Sequence, residues 1–256
     1  MLAAIGVDSL TDLFADVPES VRFPDLDLPA PVAEMDLESR LRRLADRNVN
    51  AGSHECFLGA GAYHHYIPAT VEYVLGRGEF STSYTPYQAE ASQGMLQAMF
   101  EYQSMICHLT GMEVTNASHY DGATALAEGV RMGLTLASDE RRKVVLSPAV
   151  NPRYRDVVRT YLQGTDSSVV GEDTKDIDSL TRLLDVQAAV FVIQNPNFFG
   201  QFEHVSGLAD AVHDAGALLN VETDPLSLGR FQSPGAYGAD VVVAEGQPLG
   251  IPLSFG

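Results

Sequence analysis

The chain has 256 residues, 45% of them apolar and 20% charged, the profile of a folded globular protein rather than a disordered one. Sixteen basic residues against 34 acidic ones give a net charge of −18, which repels phosphate backbones and argues against nucleic-acid binding. No apolar run reaches the roughly 18 residues of a membrane span. The acidic opening MLAAIGVDSLTDLFADVPES lacks the basic start of a secretory signal, so a cytoplasmic protein without membrane partners is expected.

Residues 8–16 start at Asp8-Ser9 and carry Leu10, Leu13 and Phe14 at helical spacing, which predicts a short capped helix. A Pro-rich connector follows. Residues 36–47 place Leu37, Leu41 and Leu44 on one face, with Arg40, Arg42, Arg43 and Arg47 elsewhere. This is an amphipathic helix whose arginines read as a solvated face suited to the C-terminal end of the dipole. Residues 51–66 are Gly-rich and show no period, and Cys56 and Cys107 read as reduced, partly buried thiols. Residues 88–110 predict the clearest helix, with Met95, Met99, Tyr102, Ile106 and Leu109 as a core stripe and Gly111 as the stop.

From residue 116 the pattern becomes βαβ. Helices are predicted over 122–136, 153–163, 176–184 and 205–215, and strands over 143–149, 167–170, 188–194, 217–222 and 239–244. The strands are apolar without polar alternation, which calls for a parallel sheet covered on both faces. The chain therefore reads as an α/β protein in two parts. An N-terminal helical segment and arm spans 1–115, and an α/β domain spans 116–256. A buried strand so near the last residue leads to the expectation that another element follows it.

Several chemistries lack their residues. His54-Glu55 has Leu58 where a zinc-protease helix needs its second histidine, and the adjacent His64-His65 read as ordinary histidines rather than metal ligands. There is no GxGxxG after a strand, no GxxxxGK[ST] and no GxSxG. Two segments remain. In NASHYDG (116–122) a turn enters a small-residue helix whose amides are placed to hold a phosphate, although any Asp-Gly turn before a helix looks alike. In SYTPYQAEASQG (83–94) two tyrosines flank Thr85-Pro86, and Gln88, Glu90, Ser92 and Gln93 follow. Glu90 and Ser92 either cap the next helix or join a surface that lines a site for a small polar ligand.

SYTPYQAEASQG, with HHYIPATVEYVL, YDGATALAEG and GADVVVAEGQPLGIPLSFG, resembles the P-protein of the glycine cleavage system, and within it the subunit 1 (α) form of the split enzyme. The resemblance runs from about Leu37 to the end. It implies the pyridoxal-phosphate fold type I, aspartate aminotransferase-like: this chain would supply the large α/β domain with its helical N-terminal segment, and the C-terminal small domain would be missing from it. It also implies a reaction in which glycine is decarboxylated on pyridoxal phosphate and its aminomethyl group passes to lipoylated H-protein.

That chemistry needs a lysine for the cofactor aldehyde and an acid for the ring nitrogen. In the implied fold the lysine follows the strand read at 239–244, where this chain has Glu245-Gly246-Gln247-Pro248. Only Lys143 and Lys175 are lysines, and neither lies in that region. Glu222 stands near the expected acid, with Asp224 two residues on. The resemblance thus implies a glycine dehydrogenase component incomplete by itself, with no catalytic residue in this chain and the cofactor carried by a lysine-bearing subunit 2 (β) in a heterotetramer. Tyr84, Thr85, Pro86, Tyr87, Gln88 and Glu90 would serve the partner's pocket, and Asp121, Gly122, Ala123, Thr124 and Glu222 would form a degenerate cofactor pocket. The alternative is a non-catalytic scaffold or regulatory subunit.

Overall fold

The computed structural model describes residues 1–253 except 62, 82, 83, 86, 91 and 92. Two compact units emerge, Met1–Glu55 and Cys56–Gly256.

In the first unit, α1 (Leu2–Ile5) ends at Gly6, whose positive φ of 85° suits a residue without a Cβ. The helix expected over 8–16 is reduced to one 3₁₀ turn, Thr11–Phe14. Three leucine-type positions do not sustain a longer helix when Pro18 follows so soon. The Phe14 and Phe23 rings meet edge to face at 5.0 Å. Helix α2 (Glu34–Ala45) has acids in its first turn and Arg42 and Arg43 in its last, in keeping with the helix dipole. Its arginines are solvated, and Arg42 pairs with Glu38 at 2.6 Å.

The second unit begins with α3 (Ala69–Leu75), which the sequence pattern did not reveal. Helix α4 (Gly94–Thr110) starts six residues later than expected, with Gln93 as its N-cap and no side-chain cap bond. Its Met95, Met99, Tyr102, Ile106 and Leu109 stripe is only half-buried, and within the helix Thr110 alone is fully buried. The stripe is thus a partly covered face rather than a core.

The rest is a doubly covered parallel sheet. Helix α5 (Gly122–Leu136) leads to β1 (Lys143–Leu146), α6 (Pro152–Tyr161), β2 (Ser168–Val170), α7 (Ile177–Thr181), β3 (Ala188–Gln194), α8 (Leu208–Asp214), β4 (Leu218–Thr223) and β5 (Val241–Ala244). The sheet order is β2-β1-β3-β4-β5, with every pairing parallel. Alternate residues feed two cores. Val144, Leu146, Val190 and Val192 pack with Leu126, Val130 and Val158 of α5 and α6 on one face. Val145, Phe191, Ile193, Leu219 and Val221 pack with Leu180, Leu208 and Val212 of α7 and α8 on the other. Strands buried on both faces cannot alternate with polar residues, which is why the sequence shows continuous apolar runs.

Helix α5 lies close against the sheet because it is built from small residues. A Cβ at Gly133 would come within 2.5 Å of Val190 Cγ2, and one at Gly129 within 2.6 Å of Asn220 Nδ2. Gly133→Ala would gain up to about 1 kcal/mol of helix propensity. Overpacking against a stiff, fully buried valine costs typically about 1–3 kcal/mol, so the clash prevails. Urea unfolding is expected to show Gly133→Ala less stable than the parent, with part of the loss restored by adding Val190→Ala. An unchanged midpoint would contradict this packing.

Candidate functional site

Because all five strands run the same way, their carboxyl ends share one edge, where α/β sheets bind ligands. The segments leaving that edge are tied to one another. Gln194 Oε1 accepts the Asn151 N–H at 2.7 Å. Asn151, the N-cap of α6, in turn accepts the Arg153 N–H at 3.0 Å. The Thr223 hydroxyl donates to the Asn195 carbonyl at 2.8 Å. Register sets Gln194, Glu222 and Val243 side by side, their side chains directed to the α5 face.

Helix α5 opens beside this row. Asp121 and Thr124 form a capping box: Asp121 Oδ1 accepts the Thr124 N–H at 2.8 Å, and Thr124 Oγ1 lies 3.2 Å from the Asp121 N–H. The Gly122 N–H, first of the helix, donates to Glu245 Oε2 at 2.8 Å, joining residues 123 positions apart. Gly122 and Ala123 are buried, and a Cβ at Gly122 would lie 2.6 Å from Tyr154 Oη. Only glycine lets that phenol close over the helix start. The carboxylate of Glu245, the cap of Asp121 and the Tyr154 ring therefore share one corner.

Glu222 is 5% exposed, and its Oε2 has no hydrogen-bond partner among the described residues. An ionised carboxylate in that state is costly. Burial first, and then the charges of Asp224 and Glu245, push its carboxyl up to about 8. Two residues earlier on the same face, Asn220 is fully buried with neither amide atom partnered among the described residues. Burial, followed by Glu222, Glu245 and Asp121, holds the Tyr154 phenol well above its ordinary value. Tyr102 of α4 is raised by burial and by Glu245.

The lysines lie elsewhere. Lys143 opens β1 at the amino edge, where its Nζ donates to the Leu183 carbonyl at 2.9 Å and pairs with Asp185. Lys175 is exposed in the loop after β2, at the opposite side of the sheet from β5. At the place where the implied fold needs its lysine, Gln247 begins a 3₁₀ turn, Gln247–Leu249, and its amide donates to the Ile251 carbonyl.

Asp121, Gly122, Ala123, Thr124 and Glu222 thus lie around one corner. Glu245, Tyr154 and Tyr102 complete it, and nothing in their local sequence marked them. The other predicted set is a surface loop. Tyr84 and Tyr87 are 94% and 89% exposed, Gln88 is exposed, and Thr85 and Glu90 are half-buried. Pro86 and Ser92 lie outside the described residues. Glu90 does not cap α4. Its Oε2 accepts the Tyr84 N–H at 3.1 Å, closing the loop on itself.

A doubly covered parallel sheet with a capped helix start at its carboxyl edge is the large-domain architecture of the pyridoxal-phosphate fold type I enzymes. The family model described as glycine cleavage system P-protein matches residues 1–256. The chain belongs to that family. It is 50% identical to the probable glycine dehydrogenase (decarboxylating) subunit 1 of Geobacillus thermodenitrificans and 49% identical to that of Syntrophomonas wolfei. Each match covers all of this chain but only 58% and 59% of those relatives. A crystal structure of glycine decarboxylase (P-protein) of the glycine cleavage system, in inhibitor-bound form, superposes with a TM-score of 0.86 at 46% identity, covering the whole chain and 58% of that protein.

The buried acid gives the protein a pH signature. A carboxyl raised from an ordinary 4.5 to about 8 holds its proton more tightly folded than unfolded. Its contribution is fully present below the unfolded value and is lost as pH rises through 8. Thermal melts of the parent should therefore fall between pH 5 and pH 9 more steeply than those of Glu222→Gln, which should be the more stable protein at pH 9. Parallel curves would contradict the assignment.

Proposed function

We propose that this chain is a subunit of a glycine dehydrogenase (decarboxylating), the P-protein of a glycine cleavage system, and that it works beside a lysine-bearing partner subunit. The assembled enzyme decarboxylates glycine and passes the remaining aminomethyl group to the lipoyl arm of H-protein. Pyridoxal phosphate, held by the partner, supplies the electron sink for that decarboxylation. The domain division into an N-terminal helical arm, 1–115, and the α/β domain, 116–256, belongs to the same reading.

The observation that carries the placement of the cofactor in the partner is the corner at the start of α5. Its residues do not fit pyridoxal phosphate. The first amide of the helix is spent on Glu245 and the lysine's place is taken by Gln247, although Glu222 stands near the place of the ring nitrogen's acid. A phosphate there would face carboxylates, and the aldehyde would find no amine. No step of the reaction is therefore assigned to this corner.

What this chain contributes instead is the loop around Tyr84 and Tyr87. Two tyrosine side chains that are almost fully exposed among the described residues offer large apolar area, as interface anchors do. The Glu90–Tyr84 contact closes the loop behind them and lowers the entropy lost when it docks. In this reading the tyrosine hydroxyls, Thr85, Pro86 and Gln88 line the partner's substrate pocket, orient glycine by hydrogen bonding and exclude water.

The test is reconstitution with subunit 2. Tyr87→Phe and Gln88→Ala are each expected to lower kcat/KM for glycine about 10-fold or more, the scale of a lost hydrogen bond to a charged group, with the complex still assembled. Unchanged turnover by an intact complex would contradict the role. Variants that weaken assembly alone would assign the chain a scaffold role instead.

A further inference from the structure

The contact between Glu245 and the start of α5 has the form of a bound anion. Helix α5 has 15 residues, long enough for its aligned peptide dipoles to concentrate positive potential at its N-terminus. That end opens at the carboxyl edge of a parallel sheet, where such sheets hold anionic ligands. The acceptor found there is part of the chain: Glu245, one residue past the end of β5, with Oε2 at 2.8 Å from the Gly122 nitrogen. The corner is also walled. Gly122 is buried, and a Cβ at residue 122 would lie only 2.6 Å from Tyr154 Oη. The unpartnered Glu222 carboxyl, nine-tenths buried, faces the same charges.

We infer that Glu245 is a built-in anion, occupying the anion cradle at the start of α5 and so shutting this chain's own pocket against phosphate-bearing ligands, and that the cradle takes phosphate once the carboxylate is removed. Two effects act together. The donor amide is already satisfied, so an incoming phosphate must displace Glu245 rather than water. A displaced Glu245 carboxylate would stay tethered one residue past the end of β5, beside the incoming phosphate, so like charges would be brought together. The capping box of Asp121 and Thr124 is separate from this contact and persists without Glu245, so the helix start stays formed.

This extends the reading of the chain as the cofactor-free half and is measured by binding, so it stands or falls separately from the loop's effect on turnover. Inorganic phosphate is titrated at constant ionic strength into the parent, Glu245→Ala and Glu245→Gln, following the Gly122 amide in ¹H–¹⁵N spectra. Glu245→Ala should bind at least about tenfold more tightly than the parent, with the Gly122 amide among the resonances that move. Glu245→Gln keeps an acceptor of the same size but not the charge, so its affinity should fall between the two. Should Glu245→Ala not fold, Glu245→Gln alone decides: phosphate binding tighter than the parent's supports the inference, and an equal affinity overturns it. Parent and folded Glu245→Ala binding phosphate equally, or neither binding it at the Gly122 amide, also overturns it.

Discussion

The hydrogen bond from Gly122 to Glu245 joins the first helix of the sheet region to the end of its last strand, and it determines what the carboxyl edge can hold. A helix N-terminus there is a donor in search of an acceptor. In this protein the acceptor comes from the chain itself. Once Glu245 fills that role, the neighbouring groups follow a consistent electrostatic logic. Glu222 cannot share the corner as a second charge, so it keeps its proton near neutral pH. The phenol of Tyr154, surrounded by acids, stays neutral as well. The corner is acidic and its first helix amide is occupied.

That arrangement depends on the fit of α5 against the sheet. Gly129 and Gly133 bring the helix axis close enough for its start to meet the ends of β4 and β5. The parallel register then fixes which residues stand in the row, Gln194, Glu222 and Val243. A strand slipped by one residue would turn Glu222 to the other face and leave the α5 side without its acid. Packing, register and charge are thus one problem, solved by small residues in the helix and apolar residues in the strands.

Elements whose signals were local were legible in the sequence. Helix α5 and strand β3 have the bounds their patterns indicate, because a capping box and an uninterrupted apolar run are complete within their own segments. Helix α4 was read too long, since its apolar period continues into a loop that Gln93 interrupts. Helix α3 was invisible because Pro68 and seven residues give too short a period to recognise. At the site, Asp121 through Thr124 could be named from the turn before a helix, and Glu222 only from the family resemblance, which implies an acid near that place. Glu245 and Tyr154 could not be placed, because their roles come from contacts with Gly122, a partner set by the tertiary fold rather than by spacing. The family resemblance and the P-protein comparisons agree on the fold.

In the proposed enzyme the anion cradle of this chain belongs to Glu245, and the aldehyde cofactor is carried by the other subunit. Borohydride reduction of the assembled complex, followed by peptide mapping of both subunits, tests it most directly. The expected result is a pyridoxyl label confined to a lysine of the partner, with none on Lys143 or Lys175. Stoichiometric label on either lysine of this chain would contradict it.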